Sequence, residues 1–200
     1  MVTGLRERRK TEAQRAISGA AMSLFSERGF DEVTIAQVAE AAGVSKMTVT
    51  NYFPRKEDLV FDRADEIIAS LASAVAARPP GESLLAAIRR DYASRLAAGD
   101  AVPTAAFARL VAGSHVLTAR LREIADLRER ALGDAMGADS VRERIVAAQL
   151  ASVHRVLFSE ATRRVLAGQP RSSIRAELSA AAAEAFDLLE SSLGDYGAGA

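Results

Sequence analysis

The sequence predicts an all-α chain, with a small N-terminal three-helix head that carries a helix-turn-helix and a larger helical body after it. Three observations support this. Apolar residues make up 49% of the chain, yet aromatics only 5% and Trp is absent, a balance that suits closely packed helices better than a sheet sandwich. The apolar positions recur three and four residues apart along most of the chain, the spacing of a helix face. The breaks between these runs are glycines and prolines, of which Pro79-Pro80-Gly81 is the clearest.

In chain order, Arg6, Arg8, Arg9 and Lys10 form a basic cluster ahead of a first helix predicted to begin near Thr11, with Gln14 completing a Thr-x-x-Gln capping pattern. Such a cluster is either a solvated tail or a means of reaching phosphate or the minor groove. Ile17, Ala20, Ala21, Leu24 and Phe25 give one apolar stripe, Gly29 ends it, and Phe30 and Val33 pack beneath the next elements. Residues 34–53, TIAQVAEAAGVSKMTVTNYF, then read as two short helices joined by a turn. Thr34 with Gln37 forms a capping box, and Ile35, Val38, Ala39 and Ala42 make a small apolar face. Gly43 stands where a helix end requires positive φ, Val44 supplies the buried contact of the turn, and Ser45 caps the second helix. With Val49 and Phe53 facing inward, Lys46, Met47, Thr50 and Asn51 turn outward. A helix that presents small, polar and cationic side chains from its first turns suits the DNA major groove, which admits one α-helix.

The segment from about Arg15 to Val60 resembles the N-terminal domain of the TetR family of transcriptional regulators. The residues that carry the resemblance are Ile17, Ala20, Ala21, Leu24, Phe25, Gly29, Phe30, Val33, Thr34, Ala39, Ala42, Gly43, Val44, Ser45, Thr48, Tyr52, Phe53, Lys56, Glu57 and Leu59. Two positions depart from the family's pattern: Thr50 stands where Tyr is common, and Arg55 where a small cap is common. The resemblance implies a homodimer with a ligand-responsive second domain, acting on DNA and usually as a repressor. On that reading Lys46, Met47, Thr50 and Asn51 meet base edges, while Thr34, Ser45, Thr48, Tyr52 and Lys56 hold phosphates. The alternative is a three-helix core without a DNA role.

The domains expected are 1–56 for the head and 57–200 for the body. A single helix of about 24 residues is expected from Lys56 to Arg78, on the spacing of Leu59, Val60, Ala64, Ile67, Ile68, Leu71 and Val75. Further helices are expected at about 82–98, 103–113, 115–132, 140–167 and 173–193, with Ser140 and Ser172 or Ser173 as caps and a frayed tail from Gly194. The last two carry stripes, Ile145, Gln149, Val153, Val156 and Leu157 on one and Ile174, Leu178, Ala181, Ala185, Leu188 and Leu189 on the other. These stripes permit a four-helix dimer interface, and they equally permit an intrachain core.

Polar interruptions of apolar faces nominate Tyr92, His115, Gln149 and His154 as effector-binding residues. Few charges interrupt the apolar stretches, which gives no sign of a strongly ionic effector, and the low aromatic content argues against a pocket made for stacking flat aromatic compounds. No cofactor is expected: Cys is absent, and the two histidines lie far apart in sequence. Neither a Gly-rich phosphate loop nor a nucleophile–base spacing is present, which argues against an enzyme. A helical protein-interaction regulator with a vestigial DNA head is the competing reading. The N-terminus lacks an apolar core and no run is long enough to span a bilayer, so a soluble cytoplasmic protein is expected. The chain is neutral overall, but residues 1–56 hold nine Lys and Arg against six Asp and Glu, as a DNA-facing end would.

Overall fold

A computed structural model describes residues 2–197, apart from the side chains of 2–7 and 9. Among the described residues the regular structure is entirely helical: α1 (Val2–Arg28), α2 (Ile35–Ala41), α3 (Lys46–Tyr52), a 3₁₀ turn (Lys56–Leu59), α4 (Ala64–Ala76), α5 (Leu84–Ala98), α6 (Ala105–Ala112), α7 (His115–Met136), α8 (Val141–Leu166) and α9 (Arg171–Leu193). The chain divides into two compact units. One holds the residues up to Asp65 together with Arg109–Leu121, the other Glu66–Ala108 and the chain from Arg122 onward. The first boundary therefore falls nine residues beyond the expected 56, and a return segment joins the head.

The first unit closes on the predicted stripe. Ile17, Ala21 and Phe25 of α1 are buried with Phe30, Val33, Val38, Val49 and Phe53, and Phe25 and Phe30 meet with ring centroids 5.1 Å apart. The expected long helix from Lys56 is not formed. A 3₁₀ turn ends at Leu59, and α4 restarts at Ala64 with 13 residues. The reason lies in three consecutive apolar residues. Leu59, Val60 and Phe61 are all buried, and neighbours on one α-helix point about 100° apart, so no single face could bury them together. The Asp62 carboxylate accepts from buried Ser18 at 2.9 Å within this break, and Asp58 pairs with Arg120 of the return segment at 2.9 Å.

α1 also begins earlier than expected, so Thr11 lies inside the helix and not at its start. The basic cluster is therefore helical; Arg8 and Lys10 are exposed, and the side chains of Arg6 and Arg9 lie outside the described ones.

In the second unit α5, α8 and α9 enclose a core that includes Leu85, Ile88, Leu150, Leu157, Ile174, Leu178 and Phe186. Ser140 and Glu143 form the expected capping box. α9 starts two residues before the expected 173, after Pro170, so neither Ser172 nor Ser173 caps it. Its first residue instead ties down the α5–α6 connection, where the Arg171 guanidinium donates to the carbonyls of Pro103, Val102 and Gly99 at 2.7, 3.0 and 3.2 Å. Residues 194–197 are not a loose tail, because Tyr196 packs on the core and its carbonyl accepts from the Leu84 amide at 3.1 Å. Ala198–Ala200 lie outside the described residues.

Candidate functional site

The helix-turn-helix is held by local bonds. Thr34 accepts from the Gln37 amide at 3.3 Å, while Gln37 Oε1 accepts from the Thr34 amide at 2.8 Å. α2 ends at Ala41 with Ala42 as its C-cap, after which Gly43 takes φ 67°. The Gly43 amide donates to Glu40 and the Val44 amide to Ala39 at 3.1 and 3.0 Å, the paired bonds of a Schellman turn. Ser45 then caps α3, its Oγ accepting from the Thr48 amide at 3.0 Å.

These caps fix which face of α3 is presented. Val49 and Phe53 are buried, while Lys46, Met47, Thr50 and Asn51 are all exposed, Met47 at 71%. One side of the helix is thus core, and the other offers a cation, a thioether, a hydroxyl and a carboxamide. Thr34 and Ser45 are exposed, with Thr48 and Tyr52 half-buried beside them. The Thr48 and Ser45 hydroxyls are 2.8 Å apart, and Thr50 donates back to the Met47 carbonyl at 3.1 Å. Lys56 is less open than the rest. Its ammonium lies 4.3 Å from the Phe30 ring centroid and 3.4 Å from the Asp31 carbonyl, and burial lowers its pKa against the pull of Asp31, Glu32 and Glu57. Arg55, the other departure, is accommodated by its own loop: its amide donates to Asp58 Oδ2 at 3.1 Å.

Of the four nominated effector residues, His115 is exposed in the first unit, and Gln149 is exposed on α8 of the second, on the side of Ile145. A polar residue breaks an apolar stripe on either side of a helix, and spacing alone does not say which. Tyr92 of α5 and His154 of α8 do meet, each 4% exposed, with rings edge to face at 5.1 Å. Sequence reasoning missed their partner, Arg128 of α7, whose Nη2 lies 2.6 Å from His154 Nδ1. The signal was present, since Arg128 stands four residues from buried Ile124 and four from buried Leu132, on their face of the helix.

Electrostatics around this cluster follow from burial. The His154 pKa falls well below 6.5 through burial and then the Arg128 and Arg95 charges, with the Ile88 carbonyl acting weakly the other way. The imidazole is therefore neutral at pH 7. The Arg128 pKa is lowered to about 10, mainly by burial and then by Arg95, with Asp91 opposing, so it stays cationic. Burial pushes the Tyr92 hydroxyl up to about 12. Among the described residues no group of three His, Cys, Asp or Glu is arranged to hold a metal ion, and no helix is long and apolar enough to cross a membrane.

Helical composition, a Schellman-turned pair of short helices and an outward-facing second helix define a helix-turn-helix protein. Residues 17–62 match the family described as "Bacterial regulatory proteins, tetR family". The chain is 46% identical over 57 residues to the HTH-type transcriptional regulator RutR of Escherichia coli, covering 28% of this chain and 27% of RutR. It is 31% identical over 85 residues to TcmR of Streptomyces glaucescens, covering 42% of this chain and 38% of TcmR. A TetR regulator of a Rhodococcus species has the same fold over 92% of this chain and 97% of its own, with TM-score 0.52 at 18% identity. The family match is thus carried by the N-terminal helix-turn-helix segment, residues 17–62. The chain's likeness to RutR and TcmR spans well under half of either protein.

Proposed function

We propose that the protein is a sequence-specific DNA-binding transcriptional regulator, a repressor in its ordinary mode, which works as a homodimer and responds to a small-molecule effector. The observation that carries this reading is the exposed row Lys46, Met47, Thr50 and Asn51 over a buried Val49 and Phe53. Lys46 matches the acceptors of guanine and Asn51 the donor–acceptor pair of adenine, while Met47 offers an apolar contact for the thymine methyl. Thr34, Ser45, Thr48, Tyr52 and Lys56 are assigned to phosphate, with Arg8 and Lys10 as further cations at that end.

Dimerisation is assigned to the outer faces of α8 and α9. Val141, Ile145 and Val156 recur along one side of α8 and are more than half exposed, and Leu188 of α9 is 79% exposed. Gln149 lies among them and is reassigned from effector to dimer face. Two heads so joined read a near-palindrome with half-sites about 34 Å apart, and an effector that favours another spacing releases DNA; tenfold release needs only about 1.4 kcal/mol of differential affinity. FadR of Bacillus subtilis, which has this fold with TM-score 0.51 at 18% identity, is known in complex with stearoyl-CoA, so the fold has accommodated a ligand.

Selection of genome fragments with the purified protein, followed by a salt titration on the best fragment, tests this reading. A near-palindrome bound by two chains is expected. Lys56→Ala should weaken binding to all sequences alike and reduce the salt slope by about one. Failure to enrich any fragment at low or moderate salt, from a folded dimer, would refute it.

A further inference from the structure

We propose that Tyr92, Arg128 and His154 form a binding site for the carboxylate of a small apolar organic acid. This rests on reading the second unit as the effector-binding part of the regulator, and it names the chemistry of that effector.

Several hydrogen bonds in this cluster are not made. Arg128 donates from Nη2 to His154 Nδ1, which fixes that nitrogen as the acceptor and leaves the proton of the neutral ring on Nε2. His154 Nε2, Arg128 Nε and the Tyr92 hydroxyl are all buried and none has a hydrogen-bonding partner. The Ile88 carbonyl favours the protonated imidazole, but its geometry falls short of a hydrogen bond to Nε2. Three donors in one buried cluster are thus unpaired, where most buried polar groups are satisfied. The guanidinium, for its part, meets a neutral imidazole instead of a carboxylate. Three cations, Arg95, Arg128 and Arg90, act on Asp91; Arg90 is paired with Glu82, which leaves Arg95 and Arg128 facing one acid and the cluster short of one negative charge.

A monocarboxylate supplies what is missing. Its two oxygens accept from Arg128 and from the imidazole or phenol, and its single charge balances the excess. A cation is disfavoured by both arginines, and a neutral ligand leaves the charge uncompensated. The surrounding side chains decide the rest of the molecule: Ile88, Leu96, Leu157 and Phe186 belong to the same buried core, and Phe186 stands 6.3 Å from the Tyr92 ring. A hydrocarbon body suits these neighbours, whereas inorganic phosphate has none to offer.

The test is calorimetric titration and thermal melting of the full chain, without DNA, with straight-chain acids from acetate to decanoate, the amide of each, and inorganic phosphate. At least one acid of intermediate length is expected to bind and, at about a hundredfold excess over its Kd, to raise the melting temperature by about 5 °C. Its amide should bind at least tenfold more weakly and phosphate not at all. Arg128→Gln should cost the acid at least tenfold in affinity and leave its amide unchanged. Should that variant not fold, Tyr92→Phe removes only an unpartnered hydroxyl and is expected to weaken the acid three- to tenfold at an unchanged melting temperature. Acid and amide binding alike, no acid binding at all, or full acid affinity in Tyr92→Phe and Arg128→Gln would each overturn the proposal. Operator occupancy is then measured with the same acid. Acid binding that leaves DNA occupancy unchanged keeps the site and removes its regulatory role.

Discussion

The polar face of α3 and the polar cluster of the second unit are both built from a few polar side chains, but they are made in opposite ways. The first lies within 20 consecutive residues and is fixed by bonds that reach three or four residues along the chain, from the Thr34 cap to the Ser45 cap. The second joins residues of α5, α7 and α8, the nearest pair 26 positions apart, and is fixed by burial. Polar groups on the first are satisfied by water until a partner arrives. Those of the second are away from water, so each missing partner is costly. A surface that must scan many sequences is served by the first arrangement, and recognition of one small molecule by the second.

The largest effect is expected from removing the core beneath α3. Val49 is fully buried, and Val49→Asp places an unpaired carboxylate there at a cost of about 3 to 5 kcal/mol. DNA binding should vanish with the first unit's melting transition, while acid binding by the second unit persists. Loss of both together would show that the two sites do not stand on separately stable units.

An acid titration separates them next. His154 has a lowered pKa in the folded chain, so its contribution to stability is fully present above the unfolded value near 6.5 and is lost as pH falls below it. Asp91, whose pKa burial raises, contributes with the opposite slope at lower pH, and the depressed surface carboxylates Glu82, Glu143 and Glu160 respond only below about 4.5. The melting temperature should therefore drop between pH 7 and pH 5. His154→Asn, which keeps an acceptor for Arg128, should flatten that drop; an unchanged drop would mean that the imidazole is not the group that titrates.

The same contrast explains what is legible in the sequence. Caps, a positive-φ glycine and a stripe of Val49 and Phe53 are local signals, and they suffice for α2, the turn, α3 and the outward row. The end of the 3₁₀ turn is not legible, because Leu59, Val60 and Phe61 also fit a helical stripe until their burial on different sides is known. In the buried cluster the side of each helix matters. Tyr92 and His154 are legible as polar breaks in apolar faces, but so are His115 and Gln149, which lie on outer faces. Arg128 escapes notice because a single arginine in a charge-rich helix looks solvated unless Ile124 and Leu132 are seen to share its face.

On the DNA side, Asn51→Ala sharpens the assignment of roles. It should cost about 1 to 3 kcal/mol for the cognate operator and little for random DNA, measured by competition at fixed salt. An equal loss on both would move Asn51 to the phosphate group of contacts. The salt slope should stay the same, in contrast to Lys56→Ala.

The smallest effect tests whether the turn itself, and not its surroundings, sets the α3 face. A Cβ added at Gly43 would meet no atom within 4 Å, so Gly43→Ala creates no clash and its cost is that of holding φ 67° with a side chain, about 1 kcal/mol. Gly19, inside α1, also has open space around it and no such φ, so Gly19→Ala should stabilise by about 0.5 to 1 kcal/mol through helix propensity. The two substitutions add the same methyl group to the same unit and are expected to shift its melting temperature in opposite directions, with acid binding by the second unit untouched in both. Shifts of one sign would mean that packing, not backbone conformation, governs the helix-turn-helix.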